Sequence, residues 1–230
     1  MRHGIAVALA ATLVVPAVSA AQDASRPVAG GGIQAAGWMG KIDPKEAASG
    51  AKLEDAKLVT MGTGLHVTTG PAVVYWNPAN TASGNYTVEA SFAEREYMGL
   101  NNHPHPYGIV IAGNNMGTDE QTYLYCAVYG AGNFIVRGFG PAPFRKNGGR
   151  GEMSDAVKKA EGKGKPVTNE VAITVAAEKV ECLINGKTVA SYPKSEVVGA
   201  GMLKSTDGIY GLRFGHNTDA HVANLTMTKN

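Results

Sequence analysis

The residues best suited to chemistry in this sequence are histidines. His103 and His105 flank Pro104, and in an extended segment both imidazoles face one way. Such a pair suits metal ligation or proton transfer, because the imidazole gains and loses its proton close to neutral pH. Tyr107 follows closely. His216 and His221 bracket Asp219, and Asp219 and His221 share a strand face if a strand begins that early. The two groups make one site only if their loops meet at one edge of the fold; otherwise they are polar loop residues.

A second set is aromatic. Tyr123, Tyr125 and Tyr129 alternate with Leu124, Cys126 and Val128, and Arg137 stands on the next run. A pyranose has apolar C–H faces and a hydroxyl rim, so rings beside a planar cation would hold one. The competing reading is that the rings fill an interior with their hydroxyls at its rim. Tyr75 and Trp76, before Asn77-Pro78, read as core. Cys126 and Cys182 each sit among apolar neighbours, which suits either a disulfide or two small buried side chains. Neither has an adjacent histidine or cation to activate a thiolate. Asn101, Asn102, Asn114, Asn115 and Asp119 offer oxygens without a recognisable calcium-loop spacing, so a structural calcium stays open and no other cofactor is expected.

These groups must be carried by strands. Residues 107–139 read as three short strands joined by Gly-Asn turns, with one face of the middle strand greasy and the other aromatic. Asn185-Gly186 between two alternating runs is a strong hairpin signal. Residues 86–92 alternate cleanly, with Glu94-Arg95-Glu96 expected toward the exposed end. After Phe139 the alternation stops, and residues 140–168 read as a long loop with a short helix over 154–161; residues 45–56 could add a helical turn. The count of about eleven strands predicts an all-β, two-sheet antiparallel sandwich with one short helix in a long loop.

Residues 1–20 read as a cleaved signal peptide: Arg2 and His3, an apolar run over 5–18, then Val18-Ser19-Ala20. A flexible leader over 21–36 and a single sandwich domain over 37–230 follow, in the periplasm or outside the cell. No later run is long enough to span a membrane. The chain carries 21 Lys and Arg against 19 Asp and Glu, a near-balance that argues against a nucleic-acid partner. The cluster Lys158, Lys159, Lys163 and Lys165 shares its segment with Asp155 and Glu161 and reads as a solvated loop.

The pieces GNYTVEASF, VECLINGKTVASYP and DGIYGLRFGHNTDAHVANLTMTK resemble the concanavalin A-like jelly-roll superfamily, in particular laminin G-like domains and the 3-keto-disaccharide hydrolase-like domain of exported bacterial proteins. The resemblance implies a convex and a concave sheet, with carbohydrate bound on the concave face or its rim loops. The ExDxxE strand of the jelly-roll glucanases is missing, since Ala, Ser, Phe and Ala separate Glu89 from Glu94. That argues against a retaining glucanase, which needs two carboxyl groups about 5 Å apart. The expected function is a non-catalytic module for a carbohydrate or cell-envelope ligand, held by Tyr123, Tyr125, Tyr129, Arg137, His103, His105 and Tyr107. One rival is a glycoside-directed hydrolase or lyase with His105 or His216 as base and Arg137 or Tyr125 steadying charge. The other is a structural or protein-binding module.

Overall fold

Period-two alternation and glycine-asparagine turns build two antiparallel sheets packed face to face. The structure, a computed structural model, describes residues 25–98, 105–149 and 151–230. Strands are numbered in chain order. The first sheet runs β1 (Gly32–Ile33), β3 (Ala56–Met61), β4 (Gly64–Thr69), β16 (Asp219–Lys229), β6 (Tyr86–Glu94), β12 (Val167–Val175), β13 (Lys179–Ile184) and β14 (Lys187–Pro193). The second runs β10 (Pro143–Arg145), β9 (Asn133–Phe139), β8 (Thr122–Val128), β7 (Tyr107–Asn114), β15 (Gly208–Phe214), β5 (Val73–Ala82) and β2 (Met39–Ile42), with β11 (Glu152–Met153) also against β9. All pairings are antiparallel except β1 with β3. The strands not expected from sequence, β1, β2, β10 and β11, have two to four residues each, too few for a period to show.

Every residue of β8 is buried. Its Leu124, Cys126 and Val128 enter the core between the sheets, while Tyr123, Tyr125 and Ala127 join a smaller cluster with Val74, Trp76 and Ile135 on the outer side of the second sheet. The two cysteines form a disulfide from β8 to β13, tying the sheets together with their Cα atoms 6.0 Å apart. Asn185 and Gly186 both take positive φ, 49° and 78°, as the two-residue hairpin between β13 and β14 requires.

Three expectations need correction. The short helix lies at Pro44–Ala48, and residues 154–161 hold one turn at 155–156 in otherwise irregular backbone. A helix there would need the Lys158 backbone groups, but the Asn169 amide takes both: Lys158 N donates to Oδ1 at 2.8 Å and Nδ2 donates to Lys158 O at 3.1 Å. Glu94 is not at an exposed end, because the alternation of β6 continues and carries its carboxyl onto the core face, 2 % exposed. Within the expected flexible leader, Gly32–Ile33 pair with Lys57 and Leu58, and the Arg26 guanidinium donates to the Thr69 and Thr218 carbonyls.

Candidate binding groove on the second sheet

Register decides which side chains meet. Across the second sheet, Trp76, Gly211, Val110, Tyr125, Arg137 and Arg145 stand opposite one another in sequence of strands, so their side chains point to one face. That face is the outer one. One step along, Tyr123 stands opposite Phe139, with ring centroids 4.9 Å apart.

Between these rows lies Arg213, 6 % exposed. It reaches the outer face because Leu212 and Phe214, its neighbours in β15, point into the core. Its Nη1 donates to Asp43 Oδ1 at 2.7 Å and Nη2 donates to Oδ2 at 2.5 Å, a two-pronged pair. Burial works against the charge on Arg213, but Asp43 outweighs it and the pKa is raised. The same guanidinium lies over the rings of Tyr125 and Phe139, 5.5 and 5.8 Å from their centroids.

Above this row opens a groove of about 650 Å³. Its floor is Tyr125, Tyr129, Ile135 and Phe139. One wall is Lys41, Asp43 and Glu46, from β2 and the short helix; Thr118, Asp119 and Gln121 close a second side, and Arg137, Arg145 and the 140–143 turn a third. Lys41 is held by Asp119 at 2.9 Å. At one end His216 Nδ1 lies 4.0 Å from Glu46 Oε1, and burial together with the nearby Asp43 raises the Glu46 pKa. Asp43 begins the helical segment directly before Pro44, which fixes the backbone direction that sends Asp43 and Glu46 to the same wall.

The residues singled out in the sequence are divided by this arrangement. Tyr125, Tyr129, Arg137 and His216 line the groove. Tyr123 lies beneath it, fully buried, and Tyr125 and Tyr129 are each only 5 % exposed, so they offer edges and not an open stacking face. Burial pushes the Tyr129 hydroxyl up to about 12. Tyr107 is the clear correction: it points into the core and stacks on Phe92 at 5.3 Å, because the aromatic outer face belongs to the opposite phase of β7. His105 is buried too, and its Nδ1 lies 2.6 Å from the His216 carbonyl oxygen, with the two rings 5.1 Å apart. It supports the His216 loop and does not line the groove.

His221 belongs elsewhere. It faces away from the core on the first sheet beside His66, rings 4.6 Å apart, and Asp219 Oδ1 lies 2.8 Å from His66 Nε2. Thr68 Oγ1 donates to the other Asp219 oxygen, and Arg95 Nε donates to His221 Nδ1. His105, His216 and His221 therefore do not form one site. His103, Asn101 and Asn102 lie outside the described residues. Of the remaining calcium candidates, Asp119 pairs with Lys41, and Asn114 Nδ2 donates to the carbonyls of Ala112 and Asp207. Among the described residues no three His, Cys, Asp or Glu side chains stand close enough to hold a metal ion.

Asp43, Glu46, Lys41, Arg145 and Arg213 were not singled out in the sequence. Arg213 left a signal, a lone charge alternating with large apolar residues in a strand; Arg145 left none in its loop-like stretch.

No protein-family model matches the chain, and no curated protein matches it in sequence. Solved structures do match in shape. The carbohydrate-binding module CBM66 from Bacillus subtilis aligns at TM-score 0.50 and 11% identity, over 86% of this chain and 98% of that one. A protein of unknown function with a galectin-like fold, also from Bacillus subtilis, aligns at TM-score 0.55 and 10% identity, over 84% and 89%. The laminarinase catalytic domain from Thermotoga maritima gives TM-score 0.45 and 12% identity, over 80% and 87%. At these identities the likeness is one of fold alone: like the first two, this chain is a two-sheet antiparallel β-sandwich.

Proposed function

We propose that the protein is an exported, non-catalytic carbohydrate-binding domain whose ligand lies in the groove on the second sheet. The groove carries the proposal: aromatic edges and the half-buried Phe139 ring form an apolar floor beside polar groups already held in place, Arg213 by Asp43 and Lys41 by Asp119. Little ordering is left to be done on binding, which favours affinity. The shape shared with a carbohydrate-binding module supports the same reading, and the inter-sheet disulfide supports an oxidising compartment.

Affinity gel electrophoresis against neutral and acidic polysaccharides tests it. At least one polysaccharide should retard the protein, and Phe139→Ala should weaken that retardation about tenfold, a loss on the order of 1.4 kcal/mol, while the melting temperature stays within a few degrees. A panel with no retardation refutes the proposal.

One observation favours a second reading. Glu46, its pKa raised by burial, stands beside His216 at the groove end, as a general acid in a hydrolase would. Release of reducing sugar from the panel, abolished by Glu46→Gln, would replace binding with catalysis.

A further inference from the structure

Arg137 and Arg145 are the charges of the groove that its own walls leave unmatched. β10 pairs with β9 so that Arg145 stands directly opposite Arg137, and both side chains border the groove. The two guanidiniums converge on Gly149. Arg137 Nη2 donates to its carbonyl at 2.5 Å, and Arg145 Nη1 lies 3.2 Å from where a Cβ on Gly149 would stand. Like charges set opposite each other on paired strands repel, and that arrangement is unfavourable without an anion between them.

The other basic groups around the groove stand by carboxylates: Arg213 has Asp43, Lys41 has Asp119, and Lys45 and His216 lie near Glu46. Among the described residues, no ion pair forms to Arg137 or Arg145. The Arg137 Nε–H is buried and has no hydrogen-bond partner among them either. A buried donor on a charged fork is costly to leave unused.

Building on the carbohydrate reading above, we propose that the ligand of this groove is an acidic saccharide, its carboxylate or sulfate held between Arg137 and Arg145. A guanidinium presents two parallel donors that match the paired oxygens of either group, which an ammonium cannot do. Tyr125 stands next to Arg137 in the same cross-strand row, so the sugar ring that bears the acid would rest against the aromatic floor. A neutral glycan in the same place leaves both cations unpaired.

The test is calorimetric titration of the processed protein with oligogalacturonides and their methyl esters, and in parallel with dextran sulfate and dextran, at low and at physiological salt. The acid of at least one pair should bind about tenfold or more tighter than its neutral partner, and weaken with salt. The pair that shows this tells carboxylate from sulfate. Arg145 is exposed, so Arg145→Gln leaves the fold intact and should erase the preference, as should Arg137→Gln. Arg137→Lys should restore only part of it, because the charge returns without the fork. Equal binding of acid and neutral partner overturns the inference while the carbohydrate reading stands. A preference that survives both Gln substitutions overturns it as well, since diffuse positive charge elsewhere would then be the cause. Failure to bind any saccharide overturns the inference together with the reading beneath it.

Discussion

Replacing Glu94 by Gln removes a carboxyl that β6 carries into the core beside Tyr107, and the effect on stability should depend on pH in a way that can be worked out. Burial raises the Glu94 pKa to about 8 from 4.5; the Tyr107 hydroxyl opposes this with a smaller effect, and the charge of Asp219 adds the least. Oε2 is buried without a hydrogen-bond partner among the described residues, so what favours ionisation there is too weak to offset burial. The folded-state pKa lies above the unfolded one. The stability linked to this group is therefore fully present below pH 4.5 and is lost as the pH rises through about 8. Each unit of the gap is worth about 1.4 kcal/mol, which gives roughly 2 kcal/mol lost at pH 6 and, as an upper limit, about 5 kcal/mol by pH 8. Gln does not titrate and keeps the shape, so Glu94→Gln should match the parent near pH 4.5 and exceed it progressively toward pH 8. Urea unfolding of both proteins across that range isolates the difference, because every other titrating group is common to the two. A stability difference that stays constant with pH would show that Glu94 is not held neutral in the core, and the reasoning would fail.

Two further outcomes follow from the packing. The Cys126–Cys182 disulfide closes a segment with a sequence separation of 56, and loop-closure entropy puts its contribution at about 4 kcal/mol; the double substitution to Ala should lower the urea midpoint accordingly, and an unchanged midpoint would contradict this. Asp43→Ala strands the Arg213 charge under the groove and should cost about 3 kcal/mol or more, whereas replacing both partners with apolar residues should cost less. Thermal melts of the single and double variants read the coupling, and strictly additive losses would argue that the pair is not a unit.

Much of the sandwich was legible along the chain. The alternation of Tyr123 to Val128 correctly separated a greasy face from an aromatic one, and Asn185-Gly186 correctly marked a hairpin, because both signals are written in adjacent residues. The same alternation, continued two residues beyond Phe92, carries Glu94 inward, against the general preference of charged side chains for the surface. Tyr107 went astray for a related reason. Period two says which residues share a face but not which face is covered, and in β7 the phase that holds Tyr107 meets the core.

The groove was less legible. Asp43 and Arg213 are 170 residues apart, and only the pairing of β2 and β15 on either side of β5 brings them together. Arg145 became a partner of Arg137 through a three-residue strand with no pattern of its own. His105 and His216 do meet, while His221 joins His66 on the other sheet, because β16 crosses to pair with β4. Strand and turn, the choice of an all-β architecture and the two faces of each long strand were thus determined by residues close in sequence, whose backbone preferences and alternation are local. Which side chains line the groove, which are sealed beneath it and which charges find partners was decided by tertiary structure, since register between distant strands is set by how the two layers pack together.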